Sequence, residues 1–269
     1  MMKIALLGYG KMGREIERLA LGDGDEVVLR VDRNNRASFS VEQLQMADVA
    51  IEFSRPEAAL ANIRWALEAQ VPVVCGTTGW LQDTEGGLPQ VQSWVATHSG
   101  AFFYASNFSI GVNVFFLLNR YLAGMMAKVD GYRASLQETH HTQKLDAPSG
   151  TAITLAEGLI NQHPTYKEWK LMEEVWPENM AEKNTAGEGP PAVNSTATLK
   201  SSILPITSCR LPDVPGTHQI TYQSTQDSLS IEHKAHSREG FARGALAAAR
   251  WVIGKKGIFG MEDLLDLSE

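Results

Sequence analysis

Cysteine is scarce: Cys75 and Cys209 are the only two in 269 residues, far apart and each in apolar surroundings. A disulfide framework is therefore excluded, and buried thiols in a reducing compartment are expected. Positive charge is short as well. Twenty-four Lys and Arg face 31 Asp and Glu, a formal net charge of -7, whereas proteins that grip nucleic-acid backbones need basic surface to release counterions. Nucleic acid is thus not an expected partner. Long apolar runs are missing too. The first, Ile4 to Leu7, is too short for a signal segment and runs straight into glycines, and nothing later approaches a membrane span. A cytoplasmic protein with no membrane partner is expected. There is no internal repeat and no low-complexity tract.

What is present is a globular composition, 43% hydrophobic and 20% charged, long enough for one large or two ordinary domains. An acidic surface repels small dianions, so an anionic ligand requires a local cluster of cationic side chains or backbone donors.

The first hundred residues alternate short apolar runs with helix-period segments, the pattern of successive βαβ units around a parallel sheet. Strands are predicted at Ile4–Leu7, Val27–Val31, Val49–Phe53, Val71–Cys75 and Phe102–Tyr104, with helices beginning near Lys11, Pro56 and Glu85. After Asn107 the pattern changes. An apolar helix from about Ile110 to Met126 leads to a strand at Tyr132–Thr139, a polar loop and a helix starting near Thr151. Residues 163–197 lack a sustained period and read as mostly loop with at most a short helix. Strands at Ile203–Arg210, Gln219–Ser224 and Leu229–Ala235 then suggest an open mixed sheet. A helix over Phe241–Ile253 resembles the first half, which points to a return of the chain to its opening domain.

Gly8-Tyr9-Gly10-Lys11-Met12-Gly13 fits the G-x-G-x-x-G pattern directly after a strand and at the opening of a helix. The first glycine permits the tight turn, the second lets backbone approach a pyrophosphate, and the third lets helix pack closely on strand. The helix start then offers amide donors to phosphates. Asp32 lies nineteen residues beyond Gly13 at the end of the next strand, where a carboxylate binds the adenosine ribose of NAD. Arg33 and Arg36 beside it suit a 2′-phosphate, so both NADH and NADPH remain open. A second glycine-bearing turn, Cys75-Gly76-Thr77-Thr78-Gly79, follows the fourth strand, where open α/β sheets place ligand contacts.

The segment Glu138-Thr139-His140-His141-Thr142-Gln143-Lys144-Leu145-Asp146-Ala147-Pro148-Ser149-Gly150-Thr151 packs two imidazoles and an ammonium just before a helix start. Amides of Gly150 and Thr151 there can hold a carboxylate, with Lys144 and one histidine supplying balancing charge. Histidine titrates nearest neutrality, so it suits a general acid that protonates the carbanion or enamine left by hydride transfer. Adjacent histidines on an extended end point to opposite sides, which gives His140 and His141 different tasks. Metal binding is the rival reading. The spacing contains neither an H-E-x-x-H helix nor a cysteine pair, and zinc would need distant ligands such as His233 or His236. No metal is expected.

The run from Glu138 to Ala152 resembles the signature of dihydrodipicolinate reductases. Gly8–Gly13, Gly76–Gly79 and Asn107-Phe108-Ser109-Ile110-Gly111-Val112-Asn113 resemble that family's cofactor loop, nicotinamide-side turn and interdomain segment, in the family's order. The resemblance covers most of the chain. It implies an α/β fold with an N-terminal Rossmann domain over 1–108, a second α+β domain on an open mixed sheet over 109–236 that also forms a homotetramer, and a return to the first domain over 237–269. It further implies His140 as acid or base, Lys144 as assisting proton donor and carboxylate partner, and His141, Ser149, Gly150 and Thr151 as substrate ligands. Gly8 to Gly13, Asp32, Arg33, Gly76, Thr77, Thr78, Ala105, Ser106, Asn107 and Phe108 would contact the dinucleotide. The implied reaction reduces an unsaturated cyclic dicarboxylate on the lysine pathway, with closure about residues 107–113 excluding water. Departures lie at 163–197 and at Thr142-Gln143, where many relatives carry a further basic residue.

Two other readings share the first glycine loop. Another two-domain Rossmann oxidoreductase, such as an amino-acid or semialdehyde dehydrogenase, would lack the histidine-lysine loop. A dinucleotide sensor without turnover would bind cofactor but show no substrate-dependent oxidation.

Overall fold

The computed structural model describes residues 1–36, 39–81, 86–175 and 202–266. They form two compact units, Met1–Asn113 with Glu239–Glu269, and Val114–Arg238.

The first unit holds strands β1 (Lys3–Leu7), β2 (Glu26–Val31), β3 (Val49–Glu52), β4 (Val73–Cys75), β5 (Ala101–Tyr104) and, near the C-terminus, β11 (Gly257–Phe259). They make one six-stranded sheet in the order β11-β5-β4-β3-β1-β2, parallel throughout. Strand side chains alternate between faces. Ile4 and Leu6 accordingly face helices α1 (Lys11–Gly22) and α7 (Glu239–Val252), whose Ile16, Leu19, Ala245, Leu246 and Ala249 fill one core. Ala5 and Leu7 face the other core, built from α3 (Pro56–Glu68) and α4 (Gly87–His98) through Leu60, Ile63, Leu67 and Val91. Both faces are covered, which is why these strands are apolar throughout. The order reverses between β1 and β3, and their carboxyl ends form the crevice where such sheets bind ligands.

The chain leaves β5 through α5 (Ile110–Met126), which carries it into the second unit. There β6 (Arg133–His140), β7 (Glu168–Val175), β8 (Ile203–Arg210), β9 (Gly216–Gln223) and β10 (Ser228–Ala235) form a mixed sheet ordered β10-β9-β6-β8-β7. The pairs β6/β8 and β7/β8 are parallel, β6/β9 and β9/β10 antiparallel. One face is covered by α5 and α6 (Gly150–Gln162), with Phe115, Leu122, Leu155 and Leu159 packed on Ala134, Leu136, Leu204, Ile206, Ile220 and Tyr222.

Short elements invisible to periodicity include α2 (Val41–Leu44), α8 (Met261–Leu264) and β11. The expectation of loop over 163–197 is corrected at Glu168–Val175, which is strand β7. Its pattern is broken by a register shift between Leu171 and Glu173, and among the described residues it pairs with β8 alone. Edge pairing thus organises a segment whose own alternation is interrupted. Residues 176–197 lie outside the described residues, as does Glu85 near the expected start of α4. No helix among the described residues is long and apolar enough to cross a membrane.

Candidate active site and cofactor cleft

In the first unit the predicted turn is built as its glycines require. Gly8 sits at φ +110°, and a Cβ there would fall on the Phe53 carbonyl and the Ser54 amide, so β1 and β3 approach more closely than any side chain allows. A Cβ on Gly13 would in turn meet the Gly8 carbonyl. Gly10 is the N-cap of α1, and the first turn carries no acidic side chain. Its early amides are donors that the helix does not use, which leaves the positive end of α1 available to an anion. A cleft of about 360 Å³ follows this edge, lined by Gly8, Tyr9, Gly10, Asp32, Arg33, Arg36, Phe53, Ser54, Arg55 and Asn62 among others. These features fit a dinucleotide.

At its far rim the Asp32 carboxylate accepts from the amides of Asn34 (2.7 Å) and Asn35 (3.3 Å). Arg33 is exposed. Arg36 donates to Asn62 Oδ1 at 2.6 Å and lies 4.6 Å from the centre of the Trp65 ring. Sequence reasoning missed Phe53, Ser54 and Arg55, which the β3–α3 connection brings to the cleft, and Asn62, which α3 supplies. A hub beneath them is Glu52, fully buried, whose carboxylate accepts from Ser54, from Asn62 Nδ2 (3.1 Å) and from Cys75 Sγ (3.2 Å). The second turn joins the same wall: Ser54 donates its amide to Thr77 Oγ1 (2.9 Å), and Gly76 leaves room for the Phe53 ring. Phe108 lies 5.5 Å from that ring, centre to centre. Of the predicted cofactor residues, Lys11, Met12, Gly13, Gly76, Thr77, Thr78, Ala105, Ser106, Asn107 and Phe108 do not line the cleft itself; they lie in α1 or in the segments that follow β4 and β5.

The second unit gathers the polar loop. Three strands in register form rungs on the helix-covered face. The apolar rung Ile206, Leu136, Ile220 is followed two residues on by the polar rung Ser208, Glu138, His218, and then by Arg210 beside His140. Period-two geometry therefore places a carboxylate, two imidazoles and a guanidinium where the apolar core ends. All four are nearly inaccessible.

Glu138 is the centre. It accepts the Ser149 amide (3.1 Å to each oxygen) and the Ser208 hydroxyl (2.7 Å), with His140 Nδ1 at 3.5 Å, His218 Nε2 at 3.6 Å and Arg210 at 3.7 Å. Burial pushes its carboxyl up, but the hydrogen bonds from His218, Ser149 and Ser208 outweigh that and hold it at about 2. His140 is drawn down to about 4, chiefly by burial, against the upward pull of Glu138 and with His218, Lys144 and Arg210 nearby lowering it further. The Nε2 of His140 lies 3.1 Å from where a Cβ on Gly216 would sit.

Arg210 also ties down the loop: it donates to the carbonyls of Asp146 (2.8 Å) and Lys144 (3.3 Å). Lys144 Nζ is held by both Asp146 carboxylate oxygens at 2.8 and 2.9 Å. Ser149 caps α6, accepting the Ala152 amide (3.2 Å), and its hydroxyl lies 3.1 Å from His218 Nε2. Its polar groups are thus engaged within the protein, while Gly150 and Thr151 occupy the first helical turn. His141, half-buried, has a buried Nδ1 without a hydrogen-bond partner among the described residues. Sequence reasoning missed His218, Arg210 and Ser208, because only strand register reveals them.

Glu138, His140 and His218 place one donor atom each within 4.8 Å of one another, a set with metal-ligand chemistry. Any metal site on this loop was expected to need distant ligands such as His233 or His236; the distant histidine that strand β9 brings here is His218. The buried Arg210 already faces Glu138 with a positive charge, which opposes a second cation there.

Comparison with known proteins agrees with this architecture. The family model "Dihydrodipicolinate reductase, N-terminus" matches residues 2–108 and "Dihydrodipicolinate reductase, C-terminus" matches 111–265. A 4-hydroxy-tetrahydrodipicolinate reductase of Christiangramia forsetii is 42% identical over 264 residues, 98% of each chain. One of Archaeoglobus fulgidus is 32% identical, covering 98% of this chain and 100% of its own. The solved dipicolinate-bound dihydrodipicolinate reductase from Paenisporosarcina sp. TG-14 shares the fold with TM-score 0.71 and 23% identity, over 98% of this chain and 99% of that one. With both halves matched and full-length relatives this similar, the chain belongs to the dihydrodipicolinate reductase family.

Proposed function

We propose that this oxidoreductase reduces 4-hydroxy-tetrahydrodipicolinate to tetrahydrodipicolinate with NADH or NADPH, in diaminopimelate and lysine biosynthesis. One observation carries the reading: His140 ends β6 at the polar end of one sheet face, Lys144 sits on the loop that follows, tied to Arg210 of the same sheet and leading to the start of α6, and the other unit holds a cleft that fits a dinucleotide. A bound reduced nicotinamide would supply the hydride. The protein supplies the rest. Lys144 and the amides of Gly150 and Thr151 clamp one ring carboxylate, with His141 on the same loop as a further ligand.

The Lys144–Asp146 pair is the resting partner that an incoming carboxylate replaces. His140 then protonates the ring carbon next to the one that receives the hydride. Its imidazole is neutral near pH 7 in the free protein, since its pKa sits at about 4. A dianionic ligand adds negative charge beside it and draws that value upward, so the proton arrives with the substrate. Water leaves when the hydrated ring is used.

In the first unit, Gly8 to Gly13 cradle the diphosphate, with Gly76 to Thr78 and Ala105 to Phe108 on the nicotinamide side. Asp32 suits the ribose hydroxyls of NADH, and Arg33 and Arg36 suit the 2′-phosphate of NADPH, so the chain carries groups for either cofactor. Cytoplasmic location and a homotetramer built through the second unit complete the reading, on the strength of the family likeness. The test couples the purified protein to the preceding synthase with pyruvate and aspartate semialdehyde and follows consumption of each reduced cofactor. Substrate-dependent oxidation is expected; cofactor binding without it would leave a dinucleotide sensor.

A further inference from the structure

We propose that Glu138 is the positioning residue of this site: its buried carboxylate fixes the His140 imidazole in the tautomer protonated at Nδ1, which leaves Nε2 to exchange the proton with substrate. The inference rests on the acid role given to His140 above.

The geometry leaves little choice of tautomer. His140 Nδ1 is buried and has no hydrogen-bond partner among the described residues, and the atom of opposite character facing it is Glu138 Oε2 at 3.5 Å. A lone pair on Nδ1 would confront the buried Glu138 carboxylate, whereas an N–H is attracted to it. Nε2 is directed to the side where Gly216 supplies no side chain. The carboxylate cannot swing away. Its oxygens are held by the Ser149 amide and the Ser208 hydroxyl, and Arg210 stands 3.7 Å off.

His218 closes the remaining side. Its ring packs edge-on against His140 with centroids 5.1 Å apart, and its Nε2 lies between Ser149 Oγ and Glu138 Oε2. Among the described residues, the titratable and charged groups that act on His140 are Glu138 on β6, His218 on β9, Arg210 on β8 and Lys144 on the following loop. Of these groups only Glu138 is negative, so among the described residues it is the one that favours the imidazolium through which the proton must pass. The arrangement also links chemistry to folding of the loop, because the Ser149 amide that holds Glu138 belongs to the cap of α6.

Two experiments test this. The first uses the intact wild-type protein, with histidine labelled by ¹⁵N and His140 assigned by comparison with His140→Asn. Nδ1–H as the main neutral tautomer of His140 is expected, and Nε2–H overturns the proposal. The second is Glu138→Gln, which keeps the shape but removes the charge. Turnover is expected to fall by about tenfold to a thousandfold, with KM for the diacid within about threefold. The alkaline limb of the turnover profile should move to lower pH by on the order of one unit, because the imidazolium loses its counter-charge. A variant of unchanged turnover and unchanged pH profile overturns the proposal, as does a loss that scales only with the fraction of folded protein. If Glu138→Gln does not fold, the tautomer of the wild-type protein decides alone. Full turnover in His140→Asn would instead remove the acid role itself, a failure visible separately from the tautomer.

Discussion

Arg210 and Glu138 stand 3.7 Å apart with 1% and 0% of their side chains exposed, a buried ion pair between neighbouring strands of the second sheet. Such a pair adds little over an apolar replacement of both members, but removal of one leaves the other charged and buried. Arg210→Met should therefore lower stability by about 3–5 kcal/mol. The double variant Glu138→Leu, Arg210→Met should recover part of that loss in stability without recovering turnover. Urea unfolding of the three proteins checks this; equal stability of Arg210→Met and the unaltered chain would mean that the pair is not formed.

His140→Ala should depress turnover by about two to four orders of magnitude. NADH affinity, read from nicotinamide fluorescence, should be unchanged because the cofactor cleft belongs entirely to the first unit. Little change in turnover would take His140 out of the acid role.

Lys144→Ala should lower both turnover and affinity for the diacid, again without effect on NADH. Asp146→Asn acts on the same ammonium from the other side. It removes the carboxylate that holds Lys144 in the free protein, so KM should fall or stay level while Lys144→Ala raises it. A selective loss of NADH binding in Lys144→Ala would assign the loop to the cofactor instead.

Gly8→Ala places a methyl group on the Phe53 backbone at a positive φ. Binding of NADH and NADPH should weaken together, by more than about tenfold, with a lower melting temperature. Asp32→Ala should weaken NADH alone, and Arg33→Ala NADPH alone. Titration of each variant with both cofactors separates these outcomes.

Stability should fall with acid in two stages. Burial lowers the His140 pKa from 6.5 to about 4, and burial lowers those of His163 and His233 as well. Between pH 6.5 and about 4 the unfolded chain therefore takes up protons that the folded protein refuses, and stability drops as pH falls through that window. Glu138 follows. Its value of about 2, against an ordinary 4.5, gives a contribution that is complete above pH 4.5 and lost toward pH 2. Melting temperature measured from pH 8 downward should be level to about pH 6.5 and then decline; His140→Asn should flatten the upper part of the decline. A melting temperature that rises on acidification through this range would contradict the assigned burial.

The first unit was legible because each βαβ step carries its own local signals: apolar strand, glycine turn, helix start. The Gly8 loop, Asp32 and the Gly76 turn all fall at the carboxyl ends of strands predicted at nearly the observed positions. The second site was half legible. Glu138 to Thr151 is contiguous, so its chemistry could be read as a string. Its partners His218, Ser208 and Arg210 come from strands 60 residues and more away in sequence, and only the pairing of β6 with β8 and β9 brings them in. The strand expected to begin at Gln219 in fact begins at Gly216, and that short difference hid His218. Strand β7 escaped notice for another reason: its bulge interrupts the alternation that marks a strand.

The most direct measurement follows hydrogen itself. NADH deuterated at the transferable position is supplied with the synthase-generated diacid, and the product is analysed by mass spectrometry. One deuterium per product molecule is predicted, at the same yield per NADH consumed, with formation of that product slowed at least about a hundredfold in His140→Asn. Oxidation of NADH that leaves no deuterium in the cyclic diacid would contradict the account.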